Sequence, residues 1–151
     1  MKITASRIRP LALTLGAAAL LIPLTGCSVI DAIGRSSQDA WRLSYEVTTD
    51  GSASATLTDV SYLDADGRLE DAKTKSVGTV ETTPVAGGTA SKWKAESIVV
   101  VGKQTRVSAT PPAGVRATCR VLLDDTQEIA TATSEPGEPV TCEATAPEFP
   151  K

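Results

Sequence analysis

From Trp41 to Thr48 every second residue is apolar: Trp41, Leu43, Tyr45 and Val47 alternate with Arg42, Ser44, Glu46 and Thr48. A period of two places the first set on one face of an extended chain, so this stretch reads as a half-buried β-strand. "TDGS" at 49–52 follows as a turn of the hairpin type, with Gly51 able to take a positive φ. Ala53, Ala55 and Leu57 resume the alternation, whereas Val60 and Tyr62 fall on the other parity, a mismatch that a β-bulge near Asp59 would repair. "DADG" at 64–67 is the next turn. Residues 68–91 are polar and broken by Gly78, Pro84, Gly87 and Gly88, which predicts one or two irregular strands and a mobile loop.

The pattern then becomes regular again. Trp93, Ala95, Val99 and Val101 lie in a strand-forming stretch, and "QTRVSAT" at 104–110 makes another before Pro111 and Pro112. The strongest alternation follows, with Val115, Ala117, Cys119, Val121 and Leu123 on one face. "DDTQ" at 124–127 turns the chain, residues 129–133 return, and Val140, Cys142 and Ala144 share a face of the final strand. About seven short strands, turns every ten or so residues and no convincing helix after residue 40 predict an all-β, immunoglobulin-like β-sandwich.

The N-terminal stretch has a different character. A basic start, "MKITASRIRP", precedes an apolar run from Leu11 to Leu24, and small residues follow. That order is the layout of a secretory signal, and the run falls short of the roughly 20 residues a helix needs to cross the hydrocarbon core. Leu24-Thr25-Gly26-Cys27 resembles the lipobox of bacterial lipoproteins, in which the cysteine receives a diacylglyceryl group and the chain is cut before it. Two acyl chains, each contributing about 0.8 kcal/mol per buried CH₂, hold a protein stably on a bilayer without a basic patch. The expected organisation is a cleaved signal peptide over 1–26, a lipid-anchored linker over 27–40, a sandwich domain over 41–146 and a tail over 147–151 that frays. Such a chain would sit on the extracytoplasmic face of the cell membrane. The linker "SVIDAIGRSSQDA" could form a helical turn or two around Val29, Ile30 and Ile33.

Lipidation of Cys27 would leave Cys119 and Cys142 as an even pair in an oxidising compartment, where disulfides persist. Such a bridge would stabilise by about 3 kcal/mol through loop closure. Two free thiols in a metal or redox site are the alternative, although the chain has neither a CxxC spacing nor any histidine.

Composition narrows the function. Of the 151 residues 41% are hydrophobic but only 3% aromatic, so the core must be built from Val, Leu, Ile, Ala and Thr methyls, which favours a thin β-structure over a deep enzyme cleft. Without Lys2, Arg7 and Arg9 of the leader, the 15 basic residues fall to twelve against 18 acidic ones, a net charge of −6. A domain of that sign is repelled by phosphate backbones, which argues against nucleic-acid binding. No histidine is available to activate a serine nucleophile. Asp64, Asp66, Glu70, Asp71, Asp124 and Asp125 could in principle pair for glycosidase-type chemistry, yet they gather at predicted turns, where carboxylates are solvated. "DADG" looks like a fragment of a calcium loop, but the twelfth position, which needs glutamate, is Lys75. The expectation is a protein without enzymatic activity, cofactor or metal.

"LSYEVTTDGSASATLTDVSYLDADG" at 43–67, the solitary Trp93 of the middle strand, "CRVLLDD" at 119–125 and "VTCEA" at 140–144 together resemble the MmpS family of actinobacterial membrane proteins. The likeness runs in order through most of residues 41–145. It implies an exported β-sandwich with an internal disulfide, acting as an accessory to RND-type transporters that export siderophores or lipids. Members of that family usually keep an uncleaved membrane helix where this chain carries its lipobox. The alternative expectation is a stand-alone envelope lipoprotein that binds a lipophilic small molecule or another envelope protein.

Overall fold

Both edges of the first strand are occupied, and that sets the topology. The structure, a computed structural model, describes residues 38–51 and 53–150. Its strands are β1 (Ala40–Asp50), β2 (Thr56–Asp64), β3 (Lys73–Glu81), β4 (Thr83–Pro84), β5 (Ala90–Val100), β6 (Gln104–Thr110), β7 (Ala117–Leu123), β8 (Gln127–Thr133) and β9 (Val140–Thr145). They form a five-stranded sheet in the order β4-β5-β1-β7-β8 and a four-stranded sheet in the order β3-β2-β6-β9, with every pairing antiparallel. The fold is thus the all-β sandwich that the alternation predicts, with nine strands among the described residues instead of about seven. The additional strands come from the polar 68–91 stretch, which supplies β3 and the two-residue β4.

The turn at 49–52 is not a hairpin. β1 pairs with β5 from Ala40 to Asp50 and with β7 from Leu43 to Thr49, so no edge remains for β2. The chain crosses instead to the other sheet. Gly51 takes φ 109° there, and its N–H donates to the Thr89 carbonyl at 2.9 Å. A second crossing lies at Thr82, between β3 of one sheet and β4 of the other. A chain of buried hydroxyls joins the two crossings: Thr49 Oγ1 lies 2.7 Å from Ser91 Oγ, which lies 2.6 Å from Thr82 Oγ1. The Ala55 N–H donates to that same Thr82 oxygen at 2.8 Å. Buried hydroxyls are costly without partners, and here each has one.

The bulge falls where parity requires it. Asp59 adopts φ 51° and the β2–β3 register shifts between Leu57 and Val60, so both residues point inward and are buried. Facing them, Leu43, Tyr45 and Val47 of β1 and Ala117, Cys119, Val121 and Leu123 of β7 are also buried. Val115, expected at the head of that last strand, belongs instead to the preceding turn, where its N–H reaches the Pro112 carbonyl at 3.1 Å. Cys119 of β7 and Cys142 of β9 are disulfide-bonded with Cα atoms 5.9 Å apart, which links the two sheets through the core.

The tail expected to fray is held. The Trp41 indole donates to the Pro147 carbonyl at 2.8 Å, and its ring stacks on Phe149 with centroids 4.0 Å apart. A stacked pair contributes about 0.5–1.5 kcal/mol beyond the area it buries.

Two outcomes follow from these contacts. Replacing both Cys119 and Cys142 by serine should lower unfolding stability by about 3 kcal/mol in urea titrations, and non-reducing mass analysis of the native chain should find no free thiol on either residue. Phe149→Ala should cost about 1 kcal/mol and change the tryptophan fluorescence, since it strips one face of Trp41.

Candidate functional site

At the end of the sandwich where the described chain begins, the two sheets part around a cleft of about 340 Å³. One wall comes from the start of β1 and the end of β5, with Leu43, Tyr45, Ile98 and Val99. The other comes from Leu63 at the end of β2 and from Gln104 and Thr105 at the start of β6. The loop from Ala65 to Ala72 overhangs the opening, and Gln38 lies at its edge. Ser97 sets the loop's position, because its hydroxyl accepts the Ala65 N–H at 3.1 Å.

Tyr45 forms the polar part of the floor and closes it chemically. Its hydroxyl donates to the Leu63 carbonyl at 2.6 Å and is hydrogen-bonded to the Thr105 hydroxyl, so β1 of one sheet is tied to both strands opposite. Burial pushes this phenol up to about 12. The ring packs on Tyr62 at 5.2 Å, and Tyr62 packs in turn on Trp93 at 6.0 Å.

The carboxylates separate into distinct groups. Glu70 and Asp71 reach the cleft rim. Asp64 is ion-paired with Lys75 at 2.8 Å, and Lys75 lies over the Tyr62 ring at 5.6 Å from its centroid. Burial alone would raise the Asp64 carboxyl, but hydrogen bonds from Lys75 and Ser97 hold it below its ordinary range. The residue that breaks the calcium-loop pattern therefore occupies the first candidate ligand. No group of three or more metal-ligating side chains occurs among the described residues. Asp125 lies elsewhere, on the outer face of the five-stranded sheet, where Lys94 at 2.8 Å and Arg42 at 3.2 Å surround it. The hydrogen bonds from Lys94 and Ser44 draw its carboxyl down to about 2.

Of the residues singled out from the sequence, Cys119 and Cys142 are brought together in the core, and neither lines the cleft. Cys27 and the linker residues Val29, Ile30 and Ile33 lie outside the described residues. The cleft itself went unread, although two signals mark it. The apolar run Ile98-Val99-Val100-Val101 breaks the alternation of β5, and Arg68 and Lys103 stand at its two flanking loops. Comparison with family models, with curated proteins and with solved structures gives no match.

The Tyr45 phenol has a measurable consequence. Its unfolded form loses a proton near 10, while the folded form keeps it to about 12. In that window the unfolded state binds fewer protons, so the stabilisation is complete below pH 10 and is lost as pH rises. The wild-type protein should lose about 2 kcal/mol more stability than Tyr45→Phe between these limits, read from denaturant midpoints at each pH.

Proposed function

We propose that this chain is a non-catalytic binding module, fastened at Cys27 by a diacylglyceryl anchor to the extracytoplasmic face of the cell membrane. In this reading it serves as an accessory to an RND-type transporter of siderophores or lipids. The lipobox at 24–27 supports the anchor, and the MmpS-like stretches at 43–67, 119–125 and 140–144 support the transport role. One geometric observation carries the reading: Gln38, where the described domain begins, lies on the edge of the cleft. Counting from Cys27, the chain to Gln38 spans at most about 40 Å when fully extended. An anchor of that length would keep the cleft mouth at the membrane-facing end, within reach of a transporter's extracytoplasmic parts.

A second reading keeps the anchor and drops the transporter. The inward-facing Leu43 and Val99 in the cleft lining favour a stand-alone envelope lipoprotein that binds a lipophilic molecule.

Two measurements separate these ideas. Metabolic labelling with a fatty-acid analogue should mark the wild-type chain and leave Cys27→Ala unlabelled and unprocessed; equal labelling of both would sink the anchor. Chemical cross-linking in intact cells, followed by capture from solubilised membranes, should recover an RND-type transporter. Consistent failure to recover one, with the labelled protein abundant, removes the transport role and leaves the second reading.

A further inference from the structure

The outer edge of the five-stranded sheet is only half built. β5 runs for 11 residues, yet β4 pairs with it only at Ser91 and Lys92. Backbone direction fixes what is left over. At the two ends of β5 the Thr89 carbonyl accepts from the Gly51 N–H, and the Val101 N–H donates to the Asp39 carbonyl, so the odd-numbered residues between them face β1. The even-numbered ones face away, as the bond from the Val85 N–H to the Ala90 carbonyl shows. The Val100 carbonyl is taken by the Lys103 N–H. Lys94, Glu96 and Ile98 therefore present their N–H and C=O groups to an edge that no strand among the described residues occupies.

Exposed edges are normally blunted by bulges, prolines or charges that stand in the way. Over this length β5 has none of these. Its register with β1 shows no shift, and it contains no proline. Its two charged side chains here reach across the sheet, away from the open edge: Lys94 pairs with Asp125 at 2.8 Å, and Glu96 with Arg42 of β1 at 2.9 Å.

The space beside β5 already has an inner wall. Trp93 packs on Tyr62 of β2 with ring centroids 6.0 Å apart, so β5 lies over β2, and the position next to β5 lies over β3. There the 9 residues of β3 face a strand of 2, and all of them except Val80 are exposed. One absent strand accounts for both the bare edge and the bare face. The occupant has to be a single extended segment without a second layer, because another copy joined through its own β5 would bring its β2 into the space that β3 holds.

We infer that the free edge of β5 receives an extended peptide segment of a partner protein, bonded through its main chain to Lys94, Glu96 and Ile98. In such strand addition the main chain supplies the affinity, and alternate side chains supply the specificity. Directly opposed residues of an antiparallel pair share a face, so the guest residues that bond to β5 point outward with Lys94, Glu96 and Ile98. The residues between them turn inward over Ala95 and Val80, which are half-buried and apolar, so small apolar side chains suit those positions. The inference goes beyond the proposed module and rests on neither its anchor nor its cleft.

The test uses the full chain in detergent micelles and a capped heptapeptide, Glu-Thr-Val-Thr-Val-Thr-Lys, whose threonines would bond to β5 and whose valines would face inward. Hydrogen exchange read by NMR should find the Lys94, Glu96 and Ile98 amides fast in the free chain, while Trp93, Ala95 and Ser97 are protected by β1. Saturating peptide should slow those three fast amides by about tenfold. N-methylation of the peptide's threonines should weaken binding by about tenfold or more, whereas N-methylation of its valines should leave it unchanged. Ile98→Pro removes a donor from the open edge and none from the ladder to β1, a placement that sheets tolerate. It should weaken binding while the Cys119–Cys142 disulfide and the tryptophan fluorescence stay native. Because the methylated peptides are tested on the unaltered chain, the result does not depend on that variant folding. No binding of the parent peptide at millimolar concentration overturns the inference, as does equal binding by both methylated forms. Protection of Lys94, Glu96 and Ile98 that rises with protein concentration in the absence of peptide would assign the edge to a second copy, and overturns it too.

Discussion

β1 is hydrogen-bonded along both edges, to β5 over its whole length and to β7 over most of it. A strand paired on both sides cannot also hold its sequence neighbour, and much of the rest of the fold follows from that. β2 must leave for the opposite sheet. Thr82 must bring the chain back, and β5 can then close on β1. The side chains of β1 carry the same centrality into the core, since Leu43, Tyr45 and Val47 face strands of the other sheet and are buried almost completely. Each such side chain contributes about 1.5–3 kcal/mol when fully buried, so β1 is an energetic centre as well as a topological one.

The two ends of the sandwich are finished by different chemistry. At one end the hydroxyls of Thr49, Ser91 and Thr82 satisfy one another between the sheets, which brings the crossings together. At the other end the Tyr45 hydroxyl bridges the sheets, and the space beside its ring remains open to the loop at 65–72. The disulfide between β7 and β9 secures the side where the edge strands β8 and β9 approach each other. On the opposite side β4 covers only Ser91 and Lys92 of β5, while β3 stands almost wholly exposed. Lys73, Lys75 and the Gly78 irregularity on β3 are features that discourage edge-to-edge association.

Particular residues show where reading by alternation succeeds. Asp59 was legible as a bulge because Leu57 and Val60 cannot both face inward on a regular strand. Cys119 was legible as a core residue because it shares its parity with Ala117, Val121 and Leu123. The hairpin at 49–52 misled, since "TDGS" is good turn chemistry whichever sheet the next strand joins. The tail misled for a related reason: Phe149 and Pro147 have no periodic context, and their partner Trp41 lies 106 residues away. The cleft was hidden because its lining alternates between sheets, so that residues far apart in the chain meet only after the sandwich closes.

Local patterning by itself determined the class of the protein: an all-β sandwich, its inward-facing residues, its bulge and the cysteine pair buried in its core. These are consequences of a period-two chain seeking to bury one face, and such a chain carries that information in every few residues. Which strand pairs with which, where the two sheets part, and which charges remain uncommitted were decided only by tertiary structure. Pairing depends on the edges already taken by distant strands. An ion pair depends on side chains such as Lys94 and Asp125, or Lys75 and Asp64, that a sequence cannot bring within 2.8 Å by spacing alone.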